Sequence, residues 1–115
     1  MELTYQNVTE DFAVAPQIVP AQLAEIARAG FRSVINNRPD LEGGAGQPNS
    51  AEIEAAARAA GLEYAWLPVI PGQFTADEIA AMAALVARLP GPVLAFCRSG
   101  ARAANLYLAA SGSRT

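Results

Sequence analysis

The chain has 115 residues, about half of them hydrophobic and only 17% charged, a length and balance that suit one folded domain and exclude a disordered segment. The net charge is −3 and all eight basic residues are arginines scattered along the chain, so there is no basic stripe for nucleic acid. One cysteine and no histidine exclude a disulfide scaffold, a Cys/His zinc site, and both Ser-His-Asp and Cys-His catalysis.

In chain order the segments alternate between strand and helix. Phe12-Ala13-Val14 reads as a short first strand. Pro20 to Ala29 reads as a helix, with Leu23, Ile26 and Ala27 on one face and Gly30 just past its end. Ser33 to Asn36 is a buried-type strand, and Asn37 to Pro48 is a loop rich in glycine and polar residues. Asn49 or Ser50 caps a helix through Ala60, which Gly61 stops. Tyr64 to Val69 is the next strand, with Tyr64 and Trp66 as core aromatics, and Pro71-Gly72-Gln73 is a turn. Thr75 followed by Glu78 is a capping box opening a helix to about Arg88, and Pro90-Gly91-Pro92 breaks it. Val93 to Phe96 is wholly apolar, as at the centre of a parallel sheet, and a last helix runs from about Ala101 to Ala110 before a frayed tail from Ser111. The expectation is an α/β fold in one domain over 1–115, with a mostly parallel sheet flanked by helices. Another helical layer would be usual after the last one, which leaves truncation at that end open. No apolar run is long enough to span a bilayer, so no membrane partner is expected. The opening residues Met1 to Tyr5 do not read as a signal peptide, so the expected location is cytoplasmic.

The chemistry is concentrated in Phe96-Cys97-Arg98-Ser99-Gly100-Ala101-Arg102. A buried strand delivers Cys97 to the carboxyl edge of the sheet, where open α/β sheets bind ligands. Backbone N–H groups at the following helix N-terminus favour negative charge and so favour thiolate over thiol. Gly100 permits positive φ, which turns loop N–H groups inward. Arg102 can fold back and hold two oxygens of an anion in a planar fork. A buried, inert structural cysteine is the alternative reading, weakened by this strand–loop–helix context. Around Cys97 and Arg102, the backbone and side chains of Arg98, Ser99, Gly100 and Ala101 are candidates for substrate binding. Arg38, leaving a strand at the same edge, is a further candidate, or ties Asp40 to the loop. Ser99 either donates to the thiolate or serves as a turn residue. Gln17 and Gln47 border the cleft more weakly, and Asn105 braces a neighbouring loop. Gly43-Gly44-Ala45-Gly46 lacks the Lys-Ser/Thr of a phosphate cradle and reads as a flexible loop.

This loop resembles those of cysteine phosphatases and rhodaneses. The wider chain is similar to the beta-lactamase hydrolase-like protein, phosphatase-like domain family. The similarity rests on Phe12 to Gln17, Gly30-Phe31, Val34 to Asp40, Gly46-Gln47-Pro48, Gly61 to Tyr64, Pro68-Val69 and Cys97 to Arg102. It implies a tyrosine-phosphatase-like fold, standing alone or fused to a sulfur dioxygenase or related sulfide-oxidising enzyme. Members are described both as phosphatase-like and as sulfur transferases.

Three departures from the tyrosine phosphatases bear on activity. Four residues separate Cys97 from Arg102, as in rhodaneses, where those phosphatases have five. Phe96 stands where they have histidine. The stretch Leu67 to Pro71 holds no acid where dual-specificity phosphatases place a general-acid aspartate, and Asp77 is explained by the helix dipole. Sulfur transfer needs no leaving-group proton, so sulfane-sulfur transfer from thiosulfate or a persulfide, through a Cys97 persulfide, is the leading expectation. A cysteine-dependent phosphatase is the alternative, and a non-catalytic anion- or persulfide-binding module the third reading. The expected substrate is a small anion (thiosulfate, a persulfide or a phosphate ester), with no metal or other cofactor and with a sulfide-oxidising enzyme as a candidate partner.

Overall fold

The computed structural model describes residues 3–112. Five strands form one sheet: β1 (Gln6–Asn7), β2 (Phe12–Ala15), β3 (Ser33–Asn36), β4 (Glu63–Trp66) and β5 (Val93–Phe96), in the order β1-β2-β5-β3-β4. All pairings are parallel except the short antiparallel β1 on β2. The helices are α1 (Leu23–Arg28, after a 3-10 turn at Pro20–Gln22), α2 (Ser50–Ala59), α3 (Ala76–Arg88) and α4 (Ala101–Gly112). The expected α/β architecture is therefore present, with β5 at its centre.

The short strands alternate their side chains between two cores. Ala13, Val34, Leu94 and Phe96 pack on the face that holds Leu23, Ile26 and Ile53 of α1 and α2. Phe12, Val14, Ile35 and Ala95 pack on the opposite face with Met82, Ala103 and Leu106 of α3 and α4. Every residue of β2, β3 and β5 is buried, as strands covered on both faces must be. Two capping boxes start α2 and α3: Asn49 with Glu52, and Thr75 with Glu78, each bonded in both directions at 2.8–3.1 Å.

Four expectations need correction. β1 has only two residues, too few to carry a periodic signal. β4 stops at Trp66: Leu67 N still donates to Asn36 O at 2.8 Å, but Val69 N then reaches Asn37 O at 3.2 Å, one residue short of the parallel register. Trp66 is 44% exposed: β4 is an edge strand, and the indole lies outside the core with its Nε1 donating to the Arg38 carbonyl at 3.0 Å. The last helix continues through Ser111 to Gly112, so no frayed tail begins at Ser111, and the final three residues lie outside the described ones. No helix among the described residues is long and apolar enough to cross a membrane.

Candidate active site

Parallel register brings the carboxyl ends of three buried strands to one edge. Ala15 and Asn36 both pair with Phe96, so the residues that follow each strand converge. Backbone bonds fix the convergence: Cys97 N donates to Ala15 O (3.4 Å), Asn37 N to Phe96 O (2.9 Å) and Gln17 N to Arg98 O (3.3 Å). Cys97 is buried, and Gly100 N donates to its sulfur at 3.1 Å. That N–H reaches the sulfur because Gly100 has φ +95°, as expected of the loop glycine. A Cβ on Gly100 would also meet the Ala15 carbonyl carbon at 3.3 Å. Ser99 takes the turn role, its Oγ accepting from Ala101 N at 3.3 Å.

Arg102 stands in the first turn of α4, nine-tenths buried, and its planar fork already holds a carboxylate. Nη1 and Nη2 donate to the two oxygens of Glu42 at 3.0 and 2.9 Å. Nη1 also donates to the carbonyls of Val69 (3.1 Å) and Asn37 (3.4 Å). Nε is buried without a partner. Glu42 bridges a second arginine, accepting from Arg38 Nε at 2.8 Å. The hydrogen bonds from Arg102, and then that from Arg38, hold the Glu42 carboxyl below its ordinary range against the opposing effect of burial.

A cavity of about 320 Å³ opens over the loop, walled by Pro71, Gly72 and Phe74 on one side and by Cys97, Arg98, Ser99, Ala101, Arg102 and Asn105 on the other. Cys97 borders it while remaining shielded from bulk water. Among the described residues no Asp or Glu lines this cavity; Asp77 is exposed on α3 and outside it.

Of the residues singled out in the sequence, the structure brings Cys97, Arg98, Ser99, Ala101 and Arg102 together around the cavity, with Gly100 beneath the sulfur. Arg38 approaches from β3 and ties Glu42 and Gln17 (Nη1 to Oε1, 3.0 Å), whereas Asp40 accepts from Ser50 N at 2.7 Å and has no bond to Arg38. Gln47 staples the glycine loop, accepting from Gly43 N and donating to Pro39 O. Asn105 lines the cavity and braces no loop through a hydrogen bond. Glu42 is the site residue that sequence reasoning missed. Its available signal was the four-residue spacing from Arg38, now an ion pair.

The comparisons with known proteins decide the family. Residues 4–113 match the model of the family described as "Beta-lactamase hydrolase-like protein, phosphatase-like domain". The chain belongs to this family. The beta-lactamase hydrolase-like protein of Xylella fastidiosa (strain Temecula1) is 42% identical over 101 residues, 88% of this chain and 23% of the relative. The chain thus spans less than a quarter of the length of that relative. Among solved structures, a Neisseria meningitidis protein described provisionally as a phosphatase is 30% identical, with a TM-score of 0.81 over 88% of this chain and 71% of that one. The active form of Tk-PTP, 18% identical, has a TM-score of 0.74 over 99% of this chain and 76% of its own, and shows the fold alone. This phosphatase-like domain therefore has the cysteine-phosphatase-like fold. The comparisons side with the phosphatase reading that the sequence ranked second; none of them supports sulfur transfer.

Proposed function

We propose that this phosphatase-like domain is a cysteine-dependent phosphatase acting on compact phosphate compounds whose leaving group departs without a proton. The observation that carries the reading is the state of Arg102. Its two terminal nitrogens are held by Glu42, while Nε is buried and unpartnered in a side chain that lines the same cavity as Cys97. A buried donor left unpaired costs about 1–3 kcal/mol, a cost that a bound oxyanion removes. The Cys97 thiolate attacks phosphorus, the S–P bond forms and the P–O bond to the leaving group breaks. Water then cleaves the S–P bond, releasing inorganic phosphate and restoring the thiolate. Arg102 and the N–H groups at the start of α4 hold the equatorial oxygens. The family and the Neisseria structure rank phosphoryl transfer above sulfur transfer.

The missing carboxylate shapes the substrate. With no acid among the described residues lining the cavity, an alkyl phosphate would lose the ~10²–10⁴-fold contribution of general-acid catalysis. Aryl phosphates, acyl phosphates and phosphoanhydrides leave as weakly basic anions and do not need it. The same absence favours a second reading, transfer of sulfane sulfur from thiosulfate through Cys97. Hydrolysis of an aryl phosphate series, measured beside thiosulfate sulfurtransfer, separates the two. We expect the phosphatase rate to rise steeply with leaving-group acidity and Asp77→Asn to leave it within about twofold, since no proton is delivered. Collapse of hydrolysis in Asp77→Asn, or sulfurtransfer with no hydrolysis, would overturn the proposal.

A further inference from the structure

A second cavity, of about 650 Å³, adjoins the one over Cys97 and shares Pro71, Arg98 and Arg102 with it. Its other lining residues are Arg38, Glu42 and Gly43. Three of the chain's eight arginines thus face one cavity against a single carboxylate, leaving two positive charges in excess on a protein whose net charge is −3. The attraction for anions there is local, because the overall charge opposes it.

Besides Arg102, the two other arginines have donors to spare. Arg38 is nine-tenths buried, and its orientation is fixed by Glu42 on Nε and Gln17 on Nη1, which leaves Nη2 without a hydrogen bond. Gly43 lies tight against that nitrogen: a Cβ there would come within 2.8 Å of Nη2, so only glycine lets the guanidinium keep this place. Arg98 is exposed and its side chain has no partner among the described residues, while its backbone is pinned by Gln17 N. A preset guanidinium and a free one therefore flank a space that shares Pro71, Arg98 and Arg102 with the cavity over the reacting cysteine. Planar donors of this kind match phosphate oxygens and form short, charge-assisted bonds with them.

We propose that this arginine cavity is a second anion subsite, and that the substrate is a small molecule with at least two phosphate groups, one reacting over Cys97 and another held by Arg98 and Arg38. The proposal rests on the phosphatase reading for the identity of the reacting group. A small molecule fits better than a peptide, because the lining offers guanidinium groups and no strand edge for backbone pairing.

The test is calorimetric titration of the Cys97→Ser protein, which cannot turn over, with inorganic phosphate and with tripolyphosphate. Aryl phosphate hydrolysis by the parent is measured in parallel. We expect tripolyphosphate to bind at least ~10-fold more tightly than phosphate, since one added charge-assisted contact accounts for that factor. Arg98→Gln should remove most of this preference. Gly43→Ala, which displaces Arg38 Nη2, should reduce it as well. Arg58→Gln should preserve it, because Arg58 is an exposed partner of Glu54 on α2. Equal loss in Arg58→Gln and Arg98→Gln, or no preference in the parent, would overturn the subsite even if aryl phosphate is hydrolysed. An Arg98-dependent preference without hydrolysis would uphold the subsite and defeat the phosphatase reading.

Discussion

The Arg102–Glu42–Arg38 cluster turns a flexible guanidinium into a directed one. Glu42 holds Nη1 and Nη2 and leaves Nε without a partner, so the carboxylate positions the arginine without touching the reacting atoms. Leu41, just before Glu42, has φ +65°, a left-handed conformation costly for leucine, and the loop keeps it while Glu42 remains tied to two arginines. Glu42→Gln should lower kcat/KM for an aryl phosphate about 10–100-fold, as expected when an anion clamp shifts by a fraction of an ångström to an ångström. The stability effect has a definite sign. A carboxyl whose folded pKa is depressed stabilises the protein above its ordinary value of 4.5 and loses that contribution as pH falls through the lower folded value. Urea midpoints of parent and Glu42→Gln should therefore differ near neutrality and converge on acidification below pH 4.5; a gap that persists there would contradict the cluster's role. Cys97, Gly100 and Arg102 were legible because strand, loop and helix are contiguous in sequence. Glu42 was not, because its partner Arg102 lies 60 residues away and no local pattern marks that contact.

At the scale of elements, the site depends on loops held at the ends of buried strands. Tyr64 of β4 joins the end of β3 to the start of α2: its hydroxyl accepts from Asn36 Nδ2 at 3.0 Å and lies 2.7 Å from Ser50 Oγ. Asn36 in turn accepts from Arg38 N at 2.8 Å, which sets the direction in which the arginine leaves β3. Burial holds the Tyr64 hydroxyl above its ordinary pKa, partly offset by Ser50 and Asn36, so it stays a neutral bridge. Tyr64→Phe leaves two polar groups short of a partner and should cost about 1–3 kcal/mol, read from the urea midpoint. A neutral result would mean that water replaces the hydroxyl. The element order from β2 onward and the boundaries of β3, α3 and β5 were legible from apolar runs and capping residues. The exposure of Trp66 was not, because composition does not reveal which strand lies at the sheet edge.

For the whole molecule, the sheet separates two cores that meet the site differently. Cys97 belongs to the α3–α4 side, whereas Phe96, one residue earlier, is buried on the α1–α2 side with Leu23, Ile26 and Ile53. The side chain before the cysteine is therefore a core element in this protein. Phe96→His, which restores the tyrosine-phosphatase residue, should place a polar ring among aliphatic side chains. It should cost about 2–4 kcal/mol from lost packing and an unpaired ring nitrogen, without raising activity. Higher activity at unchanged stability would show that the face assignment is wrong.

The central claim is that Cys97 takes a phosphoryl group from an anion clamped by Arg102. Its most direct test is intact-protein mass spectrometry after rapid acid quenching of the protein with a good aryl phosphate, and separately with thiosulfate. One phosphoryl group should appear on Cys97 in the first case, absent from Cys97→Ser and strongly reduced in Arg102→Lys, where a single ammonium cannot both replace the fork on Glu42 and donate to the anion. An added sulfur on Cys97 from thiosulfate, with no phosphoryl adduct and no phosphate release from the aryl phosphate, would contradict it.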